Sequence, residues 1–334
     1  MSPKSSHPTR RVVLLAAAAM AAGVTFAQES SVVIGKDSWL FTRYEYAVPS
    51  DAQDTQVSID LLTQASKLFN QKGIAVAVVL VPSKIRIYSD KLPDDKPLDA
   101  YTNGKYAAAV QALTAGGVTV VNLNDVFLSS PDRLGDTPLF LRLDTHWSPS
   151  GAALAAETIK ATIDSAPALK AALGATPEVA YTMEWNKQKT TTRARDLVRY
   201  MAAADQKQFK PEQVLPFKVT RTAASAAGLQ GAGDNVGILV IGSSYTNAAT
   251  GYPDAIRYQL QRDLLDISIQ VDKGPWVGME EYLKDGAYKS SKPKLIIWEI
   301  PERELRSPPN AKYRDARYQS DNNEWLGRIT NLLK

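Results

Sequence analysis

Apolar residues along this chain switch between two spacings. Val57, Leu61, Ala65, Leu68 and Phe69 recur every three or four positions, the period of one helix face, and Gly73 stands where a C-terminal cap belongs. Ile74 to Val81 then reads IAVAVVLV with no polar residue and stops at Pro82. An unbroken, β-branched run of that length predicts a strand buried on both faces, as parallel strands are. The alternation continues with a helix over Tyr106 to Ala115, closed by Gly116-Gly117, and a strand over Val118 to Leu123. Ser148-Pro149 opens a third helix, serine as N-cap and proline at the first helical position, running through Ala152, Ala156, Ile159 and Ile163. Val236 to Ile241 and Leu295 to Ile300 repeat the buried-strand signature, with a helix over Asp254 to Leu265 and a short strand over Ile267 to Val271 between them. This is the rhythm of an α/β fold on a mostly parallel central sheet. The polar stretch Glu178 to Leu229 breaks that rhythm and reads as an insertion, a lid-like excursion between core strands.

The first residues follow a different logic. Met1 to Arg11 carries Lys4, Arg10, Arg11 and no acid, Val12 to Val24 is an apolar run, and Thr25-Phe26-Ala27 supplies small residues for cleavage. This is the pattern of a secretory signal peptide over residues 1–27, and the apolar run is shorter than the roughly 20 residues of a membrane-spanning helix. Residues 28–334 are then the mature chain, expected in the periplasm after export by the Sec or the twin-arginine route. Three cations and no anion leave with the peptide, so the net charge drops from +4 to +1. No basic run remains to suggest nucleic acid as a partner.

Cysteine is absent, which excludes disulfides, thiolate metal sites and a thiol nucleophile. Histidine occurs twice, at His7 and His146, and only the second lies in the mature chain. A metal site built on several imidazoles is excluded with it, and no metal or cofactor is expected.

His146 sits in Asp144-Thr145-His146-Trp147, directly before the Ser148-Pro149 helix start. A carboxylate two residues away can hydrogen-bond one ring nitrogen, fix the tautomer and leave the other nitrogen free as a base. Alternatively, Asp144 caps a turn and His146 packs in the core. Gly242-Ser243-Ser244-Tyr245 follows the strand ending at Ile241, at the strand end where parallel sheets bind ligands. A glycine there allows a sharp turn that presents a hydroxyl, and the loop N–H groups can face a developing oxyanion. An ordinary turn accounts for Gly-Ser-Ser equally well. The two segments together complete what either lacks, since a serine hydroxyl needs a base within hydrogen-bond reach. Tyr245, Asn247 and Tyr252 are candidates to line an acceptor groove, and Trp147, like Trp39, to stack on a sugar; all of them serve equally as packing residues. Lys84 and Arg86 are candidates to meet an anionic sugar, but read more readily as solvated loop charges.

At these residues the chain resembles the alginate O-acetyltransferases of the AlgJ/AlgX type. The matching pieces are Gly35-Lys36-Asp37-Ser38-Trp39-Leu40-Phe41, Pro82-Ser83-Lys84 with Tyr88 and Leu92-Pro93, Asp144-Thr145-His146-Trp147 with Gly151-Ala152, Gly242-Ser243-Ser244-Tyr245, and Trp298-Glu299 with Pro301-Glu302-Arg303. Ser38 departs from the family's glycine, and Arg195-Asp196-Leu197 stands where Gly-Asp-Leu is expected, which leaves the role of Asp196 open. The resemblance implies an SGNH-hydrolase-like three-layer sandwich, with Ser244 as nucleophile, His146 as base and Asp144 as its orienter. It also implies an exopolysaccharide acceptor, alginate-like or cellulose, with acetyl groups delivered by a membrane-bound O-acyltransferase among other polysaccharide biosynthesis proteins, and no cofactor. The AlgJ type, without a carbohydrate-binding module, is the closer match. Two other readings share these residues: a secreted carbohydrate acetylesterase with the same triad, and a non-catalytic polysaccharide-binding scaffold.

Overall fold

Alternate side chains of the strand Ala75–Val81 (β1) enter two different cores. In a computed structural model that describes residues 31–222, 237–270, 273–312 and 315–334, Ala77, Val79 and Val81 join one buried cluster, and Val76, Val78 and Leu80 join another. Both faces are covered, so a polar residue at any of these positions would be buried; the continuous apolar run follows from that. The same division holds along Leu295–Pro301 (β5), where Leu295 and Ile297 face one way and Ile296, Trp298 and Ile300 the other.

With Thr119–Asn122 (β2), Ile238–Gly242 (β3) and Leu265–Ser268 (β4), these strands make a five-stranded sheet in the order β4-β3-β5-β1-β2, and every neighbouring pair is parallel. Helices Pro149–Ser165 (α3) and Tyr252–Leu260 (α4) cover the first face; Ala52–Gln71 (α1), Ala100–Ala115 (α2), Gly274–Lys284 (α5) and Asn322–Leu332 (α6) cover the second. This is the three-layer α/β arrangement expected from the apolar pattern.

Boundaries moved where local geometry overrides periodicity. Helix α4 begins two residues early, because Gly251 at φ 78° redirects the chain and Pro253 takes an initiating position; it ends at Gln261, which turns left-handed at φ 51°. That early stop lets β4 start at Leu265 rather than Ile267. The signal-peptide segment 1–27, Val236, Val271 and the final part of the expected insertion, 223–229, lie outside the described residues. From 178 to 222 the excursion consists of two nested antiparallel pairings: Tyr181–Trp185 with Phe217–Arg221, and Thr190–Thr191 with Gln213–Val214. Between them a short helix, Asp196–Arg199, returns to the loop that carries Asp144 and Thr145. Ahead of the sheet, Val32–Ile34 pairs antiparallel with Leu40–Thr42.

Candidate active site

The carboxyl ends of three neighbouring strands converge: β1 leads into Lys84, β3 into Ser244 and β5 into Arg303. Such strand ends are where parallel sheets leave side chains free to meet a ligand. After β3 the chain turns at Gly242, where a Cβ would stand 2.3 Å from Oε2 of Glu299, so only glycine allows this approach. Ser243 then anchors the loop on Glu299, donating its N–H at 2.7 Å and its hydroxyl at 2.9 Å, while Thr246 adds a hydroxyl donor at 3.0 Å. Burial pushes the Glu299 carboxyl up to about 7 against the opposing pull of those donors. With Ser243 turned inward, Ser244 faces outward. Tyr245 N–H donates to the Ser243 hydroxyl and Thr246 N–H to the Ser243 carbonyl, whereas the Ser244 N–H has no acceptor among the described residues.

His146 reaches this serine from a loop outside the sheet. The loop is clipped at its base, Ser148 N–H to Leu139 O at 2.9 Å and Leu141 N–H to His146 O at 3.1 Å. Helix α3 begins against it so closely that a Cβ on Gly151 would stand 2.1 Å from the Leu139 carbonyl oxygen. His146 Nε2 lies 2.7 Å from Ser244 Oγ, and Nδ1 lies 2.6 Å from Asp144 Oδ1. Burial would raise the Asp144 carboxyl, but the hydrogen bond and charge of His146, with the N–H groups of Asp196 and His146, hold it below its ordinary value. A charged Asp144 requires the Nδ1–H tautomer, which leaves Nε2 as the acceptor of the serine proton.

Four polar groups hold that loop, and none was evident as a support in the sequence. Lys84 is only 1% exposed, and its ammonium donates to the carbonyls of Leu40, Arg142 and Asp144 at 2.7, 3.0 and 3.0 Å. Burial lowers it to about 8, which keeps it charged at neutral pH, and its three N–H groups match the three acceptors. Glu212, from the excursion, accepts the N–H groups of Arg142 and Leu143, both at 3.0 Å. Asp196 accepts Thr145 N–H at 2.8 Å and Thr145 Oγ1–H at 2.5 Å, and its own N–H donates to Asp144 Oδ2 at 2.7 Å. Burial and the negative charge of Asp144 raise the Asp196 carboxyl. Tyr245 donates its hydroxyl to the Thr145 carbonyl at 2.5 Å.

Several sequence expectations need correction here. Lys84 and Arg86 are not solvated loop charges: Lys84 is the staple just described, and Arg86 is buried in an ion pair with Glu302 at 2.6 Å. Ile85 and Ile87 beside them are fully buried, and the long stems of both residues pass through that apolar layer to reach polar partners. Tyr245, Tyr252 and Trp147 do not line a groove; they are buried and packed on one another, Trp147 to Tyr252 at 4.6 Å and to Tyr245 at 4.9 Å between ring centroids. Trp39 is likewise buried, stacked on Tyr88 at 4.1 Å. Asn247 is exposed, and its side chain caps the following turn by accepting from Ala249 N–H at 2.9 Å.

Above Ser244 opens a cleft of about 790 Å³ lined by His146, Asp196, Gln270 and Arg303, with Tyr44 and Tyr200 among its walls. The tyrosines are 63% and 67% exposed, so the aromatic surface of the cleft comes from residues that carried no signal in the sequence. Asp144, His146 and Asp196 are the one His/Asp/Glu cluster close enough to share a cation among the described residues. Their carboxylate oxygens already accept from Thr145, His146 and Asp196, so a cation would have to displace an intact hydrogen-bond network.

A family model described as "SGNH hydrolase-like domain, acetyltransferase AlgX" matches residues 32–302. The "probable alginate O-acetylase AlgJ" of Pseudomonas aeruginosa is 27% identical over 318 residues, covering 89% of this chain and 74% of that protein. The solved O-acetyltransferase domain of Pseudomonas putida AlgJ superposes with a TM-score of 0.73 at 22% identity, over 90% of this chain and 99% of that one. The structure of Pseudomonas aeruginosa AlgX gives a TM-score of 0.65 at 17% identity, over 90% and 66%. At these identities the two structures speak for the fold. The family model spans most of the sequence, from the first ribbon to the residue after β5, and on that match the chain belongs to the AlgX family of SGNH hydrolase-like acetyltransferase domains.

Proposed function

We propose that this chain is an exported O-acetyltransferase that carries acetyl on Ser244 and passes it to a hydroxyl of an exopolysaccharide. One observation carries the reading: the unbroken line from Asp144 Oδ1 to His146 Nδ1 at 2.6 Å and from His146 Nε2 to Ser244 Oγ at 2.7 Å, at the floor of an open cleft. In the first half-reaction Ser244 Oγ attacks the acetyl carbonyl as its proton passes to His146 Nε2. The oxyanion forms beside the uncommitted Ser244 N–H, and the departing group takes the proton back from His146. In the second, a sugar hydroxyl gives its proton to Nε2 and attacks the acetyl carbonyl, and Ser244 Oγ departs, taking that proton back from His146 to restore the serine. Asp144 remains charged throughout and stabilises the imidazolium.

Alginate is the acceptor suggested by the names of the relatives, and a membrane-bound O-acyltransferase is the proposed source of acetyl. Periplasmic location rests on the pattern of residues 1–27, and a mature N-terminus at Gln28 is the outcome that supports it. Ester hydrolysis uses the same triad, so transfer is tested by product: acetylated oligosaccharide from a small acetyl ester supports transfer, and free acetate alone supports an esterase. Ser244→Ala should reduce either product at least ~10³-fold.

A further inference from the structure

Two clefts border the inserted ribbon, and both are lined with cations. In the larger, of about 480 Å³, each cation is neutralised: Lys91 by Asp37 at 2.7 Å, Arg133 by Asp90 at 2.6 Å, Lys189 by Asp136 at 3.0 Å and Arg142 by Glu212 at 3.6 Å. The other, of about 450 Å³, is lined by Arg193, Arg195 and Arg199 together with Thr191, Thr192 and Gln206, and no acid lines it. None of the three arginines has a carboxylate partner among the described residues; Arg195 reaches only the Phe209 carbonyl, at 3.4 Å.

Three uncompensated guanidinium groups around one concavity repel one another and draw in an anion, and their planar forks suit carboxylates. The hydroxyls and the amide beside them suit the oxygens of a sugar. The short helix Asp196–Arg199 forms the wall between this cleft and the one over Ser244. Asp196, Leu197 and the following Tyr200 line the Ser244 side, whereas Val198, Arg199 and the preceding Arg195 line the other.

We infer that the Arg193–Arg195–Arg199 cleft is a subsite for a carboxylate-bearing polysaccharide, gripping one stretch of the polymer while a hydroxyl of a neighbouring stretch reaches Ser244. This rests on the acyl-transfer reading for what happens at Ser244, and adds the residues that read the charge of the acceptor.

The test is calorimetric titration of the mature chain carrying Ser244→Ala, so that binding is measured without chemistry. The probes are a uronate oligosaccharide, a cello-oligosaccharide of equal length and inorganic phosphate. The uronate should bind, more weakly as salt rises, and combined Arg193→Ala, Arg195→Ala and Arg199→Ala should weaken it about 100-fold. Arg199→Glu, at an exposed position, should by itself weaken it about 10-fold with an unchanged melting temperature, which separates lost binding from lost folding. Equal binding of the neutral oligosaccharide, displacement by equimolar phosphate, or full uronate affinity in the folded triple variant would overturn the subsite. Uronate binding lost in the triple variant, with no acetyl transfer by the unaltered enzyme, would defeat the transfer reading and leave the subsite standing. Transfer with unchanged binding in the triple variant would do the reverse.

Discussion

Ser244 leaves the end of a core strand whose five residues are all buried, whereas His146 and Asp144 ride a loop that adds no strand to the sheet. The serine inherits its position from hydrophobic packing: β3 is fixed between β4 and β5, and Gly242 directs the turn. The histidine loop is held instead by polar groups from distant parts of the chain, Lys84 after β1, Glu212 and Asp196 in the excursion, and Tyr245 beside Ser244. Packing tolerates small changes of volume, but a buried polar staple loses its partners all at once when it is removed. The two halves of the site should therefore fail differently.

The largest effect is expected within the polar half. Asp144→Asn keeps the size of the side chain but removes the charge that dictates the Nδ1–H tautomer, and transfer should fall about 10⁴-fold with the fold intact. A rate within tenfold of the parent would mean that the loop alone orients the imidazole. Next comes Lys84→Met, which fits the apolar layer yet strips three carbonyls of their donor. A loss of about 3 kcal/mol is expected in a denaturant titration, and a loss below ~1 kcal/mol would show that the loop is not held there.

Glu299, on the packed side, should report through pH. Its folded value near 7 lies above the ordinary 4.5, so the folded state binds the proton more tightly. That stabilisation is complete below about pH 4.5 and is lost as pH rises through 7, by about 3 kcal/mol in all. Relative to the parent, Glu299→Gln should gain stability across that window; parallel stability curves for the two proteins would contradict the assignment.

The core half of this contrast was legible in the sequence and the polar half was not. The buried strands and the glycine turn before Ser244 follow from periodicity and punctuation, because continuous apolar runs have few alternative homes. Asp144 and His146 were visible by adjacency. Lys84 was not, because a lysine after a strand reads as a surface charge unless its acceptors are known, and Leu40, Arg142 and Asp144 contribute them only through their backbones. Asp196 and Glu212 lie 52 and 68 residues beyond Asp144 in a stretch with little periodicity, so nothing local announced that they return to it. The exposed walls of the cleft, Tyr44 and Tyr200, lie in no motif and no periodic segment, unlike Tyr245 and Tyr252, which follow Ser244 closely in sequence but are buried.

The smallest effect belongs to the ribbon turn at residues 35–39. Ser38 is held at φ 62°, a left-handed conformation that costs a residue with a Cβ. Ser38→Gly should raise stability by about 0.5 kcal/mol without altering transfer, after the entropy glycine adds to the unfolded chain is offset. Any destabilisation would mean that the serine side chain holds the turn.

Whether acetyl passes through Ser244 is decided by peptide mapping of the acyl-enzyme. After brief exposure to a small acetyl ester and acid quenching, the peptide containing Ser244 should carry one acetyl group, and the same peptide from Ser244→Ala should carry none. Acetyl transfer to oligosaccharide by Ser244→Ala at the parent rate, with no acetyl on that peptide in the parent, would contradict the account.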